Sequence, residues 1–234
     1  MPSLLARNVS PVVDEMLAFF PCIIIEGARQ VGKSTFAQQI ADPDAVYATL
    51  DNEAVRSAAD MDPDGFATQA GKRQLIIDEI QRLPQLTLAV KAAIDADRRP
   101  GRFILTGSSS LLRVRGTADS LAGRVGRLTM YGLSQGEIRS TTDDLVPRIV
   151  ADHADIPSFT TRVAREDYAR LLAFGGYPEL RDTTDRQRNL WIDGYLLGIT
   201  GRDMPELNRQ LEPARVESVL RVLGGQPAAE LVKA

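Results

Sequence analysis

The 234 residues are 44% hydrophobic and 25% charged, and 28 Lys plus Arg against 31 Asp plus Glu leave a net charge of −3. That balance suits a soluble domain with a sizeable core and excludes a surface that is basic throughout, though not a local basic patch. One cysteine, Cys22, and one histidine, His153, exclude an intramolecular disulfide, a cysteine-based zinc site and a multi-histidine metal centre. No apolar run nears the roughly 18 residues of a bilayer span and no signal-peptide pattern opens the chain, so a cytoplasmic protein with no membrane partner is expected.

The first predicted strand is Cys22–Ile25. It runs into Gly27-Ala28-Arg29-Gln30-Val31-Gly32-Lys33-Ser34, which fits G-x-x-x-x-G-K-[ST] at every fixed position, and a helix is predicted over Lys33–Ile40. Glycines let a backbone approach phosphates, successive amides cradle the oxygens, and the helix start adds its positive dipole end. In this pattern Lys33 meets the β- and γ-phosphates, Ser34 ligates Mg²⁺ and Thr35 touches the α-phosphate. After a second strand, Ala45–Leu50, the strand Leu75–Ile77 ends in Asp78-Glu79. A carboxylate beside a phosphate loop can hold the Mg²⁺ shell, which assigns Asp78, and Glu79 is then placed to polarise the attacking water.

A helix with apolar spacing at Leu86, Val90, Ala93 and Ile94 follows Pro84. The strand Phe103–Leu105 ends in Thr106-Gly107-Ser108-Ser109-Ser110, where Thr106 is the candidate sensor of the γ-phosphate and a serine caps the helix of Leu111 and Leu112. Leu128–Tyr131 is the last predicted strand. The alternation reads as an α/β domain over residues 1–140 with a mostly parallel sheet. Residues 141–163 read as a linker-like tract. A helical portion spans 164–212 with helices at Ala164–Phe174 and Asp185–Thr200, and another helix begins at Pro213. After Gly224-Gly225 a further helix opens at Pro227 and stops at Ala234, the pattern of a domain cut midway.

Arginine is unevenly spread: Arg98 to Arg127 holds seven arginines and one acid, whereas Asp42 to Asp64 holds seven acids and one arginine. This dipolar spread reads either as solvated faces, the simpler reading, or as a surface for a partner or nucleic acid. Arg124, Arg127 and Arg202 are the candidates for an arginine that neutralises transition-state charge on a neighbouring nucleotide, and the sequence does not choose among them. His153 reads as solvated and Cys22 as a small core residue. Trp191 and Tyr195, four apart on one helix, read as packing partners.

Taken together, the phosphate loop, the Leu75-Ile76-Ile77-Asp78-Glu79 strand and the Thr106 strand resemble AAA+-type ATPases of the additional-strand class. More closely, the chain resembles prokaryotic ATPases with an AAA domain followed by a DUF4143 region. Asp78-Glu79-Ile80-Gln81, Ser120-Leu121-Ala122-Gly123-Arg124, Leu133-Ser134 with Glu137, and Gly175-Gly176-Tyr177-Pro178-Glu179 carry that resemblance, along with Arg202-Asp203. It implies a P-loop NTPase sheet in strand order 5-1-4-3-2 and a winged-helix portion whose beginning is residues 213–234. It also implies ATP and Mg²⁺ as ligands and leaves open a homo-oligomer and a protein or DNA partner reached through a further C-terminal region. The expected activity is hydrolysis of Mg·ATP coupled to a conformational change. The competing reading is a nucleotide-binding switch with slow or partner-dependent hydrolysis. GTP is disfavoured because no Asn-Lys-x-Asp motif is present.

Overall fold

Five parallel strands form the centre of the structure, a computed structural model that describes residues 4–108, 121–141, 146, 149–150, 162–204 and 212–225. They are β1 (Cys22–Gly27), β2 (Val46–Thr49), β3 (Leu75–Asp78), β4 (Phe103–Ser108) and β5 (Val125–Thr129). Their order is β2-β3-β4-β1-β5, so the strand carrying the phosphate loop lies between β4 and β5, as the resemblance implies. Every residue of β1 and β3 is buried, which is why these strands read as unbroken Ile and Leu runs rather than alternating ones.

Alternate residues serve opposite faces. Cys22, Ile24, Leu75, Ile77, Phe103 and Leu105 belong to one apolar cluster, shared with Leu86, Val90 and Ile94 of α5 (Leu86–Ala96). The helices α3 (Glu53–Met61) and α4 (Pro63–Thr68) contribute Ala59 and Phe66 to it. On the other face Ile23, Ile25, Ile76 and Ile104 pack with Val13 of α1 (Ser10–Phe19) and Phe36 of α2 (Lys33–Gln39). Burying one such side chain stabilises by about 1.5–3 kcal/mol. Two closed clusters therefore fix the sheet ends where chemistry is expected.

All five predicted strands are present, but β5 begins three residues earlier than its apolar run. Gly126 explains the offset: a Cβ there would lie 2.7 Å from both Met16 of α1 and Phe20 just past its end, so the strand carries a glycine where the end of that helix packs on it. The acidic stretch from Asp42 to Asp64 contains two capped helices. Asn52 accepts from the amides of Ala54 and Val55, and Asp62 accepts from Gly65 at 2.9 Å with Pro63 in the first turn. Further along the chain lie α6 (Gln135–Arg139) and α7 (Arg165–Phe174). The last described helices are α8 (Asp185–Gly198), continued by a π-turn at Ile199–Asp203, and α9 (Pro213–Gly225).

The chain divides into two compact units between Arg181 and Asp182. Helix α7 and the turn behind it stay with the first unit, because Leu133 donates from its amide to the Gly176 carbonyl at 2.6 Å. The two backbones run so close that a Cβ on Gly176 would collide with the Leu133 carbonyl. Among the described residues no helix is long and apolar enough to cross a membrane.

Candidate functional site

The loop from Gly27 to Ser34 joins β1 to α2 and turns through two left-handed residues, Gln30 (φ 61°) and Gly32 (φ 95°). Gly27 is required by crowding as well, since a Cβ there would strike the Met130 carbonyl. Lys33 is buried at the first position of α2, and its Nζ donates to the Ala28 carbonyl at 2.8 Å. Burial holds its pKa below the usual lysine value; the charges of Glu79 and Asp78 partly offset this, and Arg29 adds to it. The ammonium thus sits in a place that an anion would stabilise.

Asp78 ends β3 and is the most heavily engaged side chain of the site. Its Oδ1 accepts from Ser34 Oγ at 2.6 Å and from Thr106 Oγ1. Its Oδ2 accepts from the Tyr47 hydroxyl at 2.9 Å and Thr49 Oγ1 at 3.1 Å. Four hydroxyls from α2, β2 and β4 fill the four acceptor positions of one carboxylate. Burial first, and then Asp78, push the Tyr47 phenol up to about 12. Tyr47 and Thr49 were not singled out from the sequence, although their i, i+2 spacing in β2 places both hydroxyls on one face.

Glu79 departs from strand geometry. Its φ of 59° is left-handed, its amide donates to Thr106 Oγ1 at 3.2 Å, and its carboxylate accepts from the Gln81 side chain. Gln81 Oε1 in turn accepts from the Ser108 amide at 3.4 Å. Thr106, expected at the γ-phosphate, is fully buried with its hydroxyl donating to Asp78 and accepting from Glu79. It links the two acids. The oxygen set of Ser34 and Asp78 suits a hard cation such as Mg²⁺, which takes few protein ligands and completes its shell with phosphates and water. Among the described residues no cluster of three or more His, Cys, Asp or Glu offers an alternative metal site.

Beside the loop lies a cavity of about 170 Å³. Leu4, Leu5, Phe36, Met130, Leu133 and Pro178 give it apolar walls; Gly32 and Thr35 border it, and Arg7, Gln39 and Arg181 supply polar groups. Pro178, which lines it, ends the Gly175-Gly176-Tyr177-Pro178 turn, whose Tyr177 packs on the cluster of Phe36 and Met130. Arg7, which sequence reasoning missed, braces the wall. Its guanidinium donates to Glu137 Oε1 at 3.2 Å, to the Val31 carbonyl of the loop at 3.2 Å and to the Tyr131 carbonyl at 2.7 Å. Glu137 also closes a capping box with Ser134 at the start of α6, so this family motif is structural.

Of the arginine candidates, Arg124 is held by Asp95 of α5 through two hydrogen bonds of 2.6 and 3.0 Å, and Arg127 is exposed on β5. The side chain of Arg202 lies outside the described residues, as do Ser109, Ser110, Leu111, Leu112, Ser120, His153 and the Pro227 helix. Cys22 is fully buried in the core, and burial pushes its thiol far above the usual range. In the second unit Trp191 and Tyr195 stack with centroids 5.0 Å apart.

An uncharacterised protein of Mycobacterium tuberculosis is 28% identical over 217 residues, which cover 93% of this chain and 44% of that protein; a protein of Mycobacterium bovis matches equally. The chain thus spans less than half the length of these curated relatives. Among solved structures, a Walker-type ATPase of Pyrococcus abyssi aligns with a TM-score of 0.45 at 16% identity, covering 88% of this chain and 75% of that one. A signal-transduction ATPase with a tetratricopeptide repeat sensor from Pyrococcus horikoshii aligns with a TM-score of 0.44 at 14% identity, covering 86% and 35%. Residues 165–234 match a domain of unknown function, DUF8612, which stands where the resemblance had implied DUF4143. Residues 20–139, which are 120 of the 234, match the family model described as AAA domain and contain the whole phosphate loop with its paired acids, so the chain belongs to this AAA-domain family of nucleotide-binding, ATPase-like proteins.

Proposed function

We propose that the chain binds ATP with Mg²⁺ and hydrolyses the β–γ bond to give ADP and phosphate. The observation that carries this reading is the meeting of Ser34 from the phosphate loop and Thr106 from β4 on one oxygen of Asp78, with Glu79 next in the chain and within electrostatic reach of Lys33. The amides of Gly27 to Thr35 cradle the phosphates. Lys33 leaves the Ala28 carbonyl for the β- and γ-phosphates, which supply the charge partner its burial calls for. Ser34 and Asp78 hold the cation, which when bound neutralises charge on the phosphate oxygens. Glu79 orients the attacking water and takes up its proton, its carboxylate steadied by Gln81. Thr106 is a positioning residue, acting through Asp78 and the Glu79 amide. Chemistry of this kind is placement and charge stabilisation with no covalent intermediate.

The apolar cavity beside Thr35 takes the base. Its wall from Pro178 to Arg181 is the last stretch before the second unit begins at Asp182, so occupancy is registered where the chain leaves the first unit. This is the route by which turnover drives a conformational change. One observation favours a second reading, a nucleotide switch with slow or partner-dependent hydrolysis: the Arg124 guanidinium is already engaged by Asp95.

Phosphate release from Mg·ATP, measured for the full chain beside Lys33→Ala and Glu79→Gln over a range of protein concentrations, separates the two. Hydrolysis predicts turnover that vanishes with Lys33→Ala and falls at least about a hundredfold with Glu79→Gln. Specific activity that climbs with concentration assigns an arginine supplied by a second copy. Lys33-dependent binding with no turnover at any concentration selects the switch, and absence of nucleotide binding ends both readings.

A further inference from the structure

We propose that Tyr47 and Thr49 of β2 are positioning residues that set which divalent cation the site accepts, by occupying Asp78 Oδ2 and leaving the carboxylate a single oxygen to offer. The inference rests on the ATP and cation reading above. In the β2–β3 register Tyr47 lies opposite Ile76 and Thr49 opposite Asp78, so both hydroxyls fall on the face that carries the Asp78 side chain. Their hydrogen bonds, 2.9 and 3.1 Å long, both end on Oδ2. A carboxylate oxygen has two acceptor positions, and here both are taken. Oδ1 also accepts two hydroxyls, from Ser34 Oγ at 2.6 Å and from Thr106 Oγ1, but of the four donors only Ser34 is itself a cation ligand, so the one position a cation can take over in exchange for a donor lies on Oδ1.

A cation joining Ser34 to Asp78 therefore meets one carboxylate oxygen, held by a hydroxyl frame on β2. Mg²⁺ is small, demands near-octahedral geometry and accepts a carboxylate through one oxygen. Ca²⁺ is larger, takes six to eight oxygens and readily uses a carboxylate through both. The β2 clamp closes the two-oxygen mode. Neither Tyr47 nor Thr49 needs to touch the nucleotide, because each acts through Asp78. Tyr47 is 39% exposed at the edge of the sheet, so removal of its hydroxyl leaves no sealed cavity behind.

The test is binding of a fluorescent ATP analogue to the full chain, titrated with Mg²⁺ and separately with Ca²⁺ from an EDTA baseline. The chains compared are unsubstituted, Tyr47→Phe, Thr49→Val, Thr49→Ser and Lys33→Ala. Partners that orient a metal ligand typically govern affinity by about 10- to 100-fold. The Mg²⁺ midpoint is expected to rise by about tenfold or more in Tyr47→Phe and in Thr49→Val while the Ca²⁺ midpoint moves much less, so that the preference for Mg²⁺ narrows. Thr49→Ser, which keeps the hydroxyl, is expected to keep the preference. Midpoints for both cations that stay at the unsubstituted values, or that shift by a common factor in both variants, overturn the inference while leaving the ATP reading intact. An unsubstituted chain that binds the analogue no better than Lys33→Ala at every cation concentration overturns the ATP reading, and this inference falls with it. The two single variants are independent, so poor folding of one leaves the other to decide.

Discussion

The unit that ends at Arg181 and the one that begins at Asp182 are stabilised by different means. In the first, two apolar clusters close over both faces of a parallel sheet, and Ile23, Ile25, Ile77, Ile104 and Leu105 are wholly inaccessible. In the second, Thr200 is the buried residue among those described, while Leu190, Leu197 and Val222 are more than 60% exposed. What organises the second unit is local: the Thr184–Gln187 capping box, the Asp185–Arg188 and Glu217–Arg221 pairs, and the Trp191–Tyr195 stack. Contacts of that kind contribute from tenths of a kcal/mol for the ion pairs to about 1 kcal/mol for the cap and the stack. The contrast places the phosphate site on the part of the molecule where position is over-determined, and leaves the helical part free to answer to something outside itself.

Substitutions graded by expected effect can break this contrast, with urea unfolding followed by circular dichroism as the common measurement. Arg7→Ala, which leaves Glu137 buried without its guanidinium and frees the Val31 and Tyr131 carbonyls, is expected to cost about 3–5 kcal/mol. A cost below about 1 kcal/mol would mean that the wall of the cavity holds without it. Ile25→Ala, at the centre of β1, is expected to cost about 2–5 kcal/mol. Next comes Asn52→Ala, which removes the cap of α3 and should cost about 1 kcal/mol. Smallest is Leu197→Ala in the second unit, expected to stay within about 0.5 kcal/mol. A large loss there would show that Leu197 is covered after all and would dissolve the comparison.

Much of the first unit was legible because its signals are local. The loop motif spans eight residues, and doubly buried strands announce themselves as Ile and Leu runs. Four helices went unread for identifiable reasons. Helix α1 carries no capping side chain, α6 is five residues long, and α3 with α4 lie in a stretch whose acids look like a solvated face. The caps Asn52 and Asp62-Pro63 were the available clue. In the site, Lys33, Ser34, Asp78 and Glu79 could be named because motif spacing fixes them. Arg7 and Glu137 stand 130 residues apart, and nothing in the sequence pairs them. Tyr47 and Thr49 needed the register of β2 against β3, which no single strand reveals on its own.

Cys22 gives the molecule a built-in clock. It is the only thiol in the chain, it begins the strand that feeds the phosphate loop, and it is sealed between β4 and β5 with its proton held tightly. Alkylating reagents need the thiolate and a path to it, so the folded first unit should resist labelling and opening of the sheet should be recorded once per molecule. Timed exposure to iodoacetamide followed by intact-mass measurement would then read how often this unit opens, blind to fraying of the helices beyond Asp182. Run with and without Mg·ATP, the same clock would report how firmly a filled phosphate loop locks the strand beneath it.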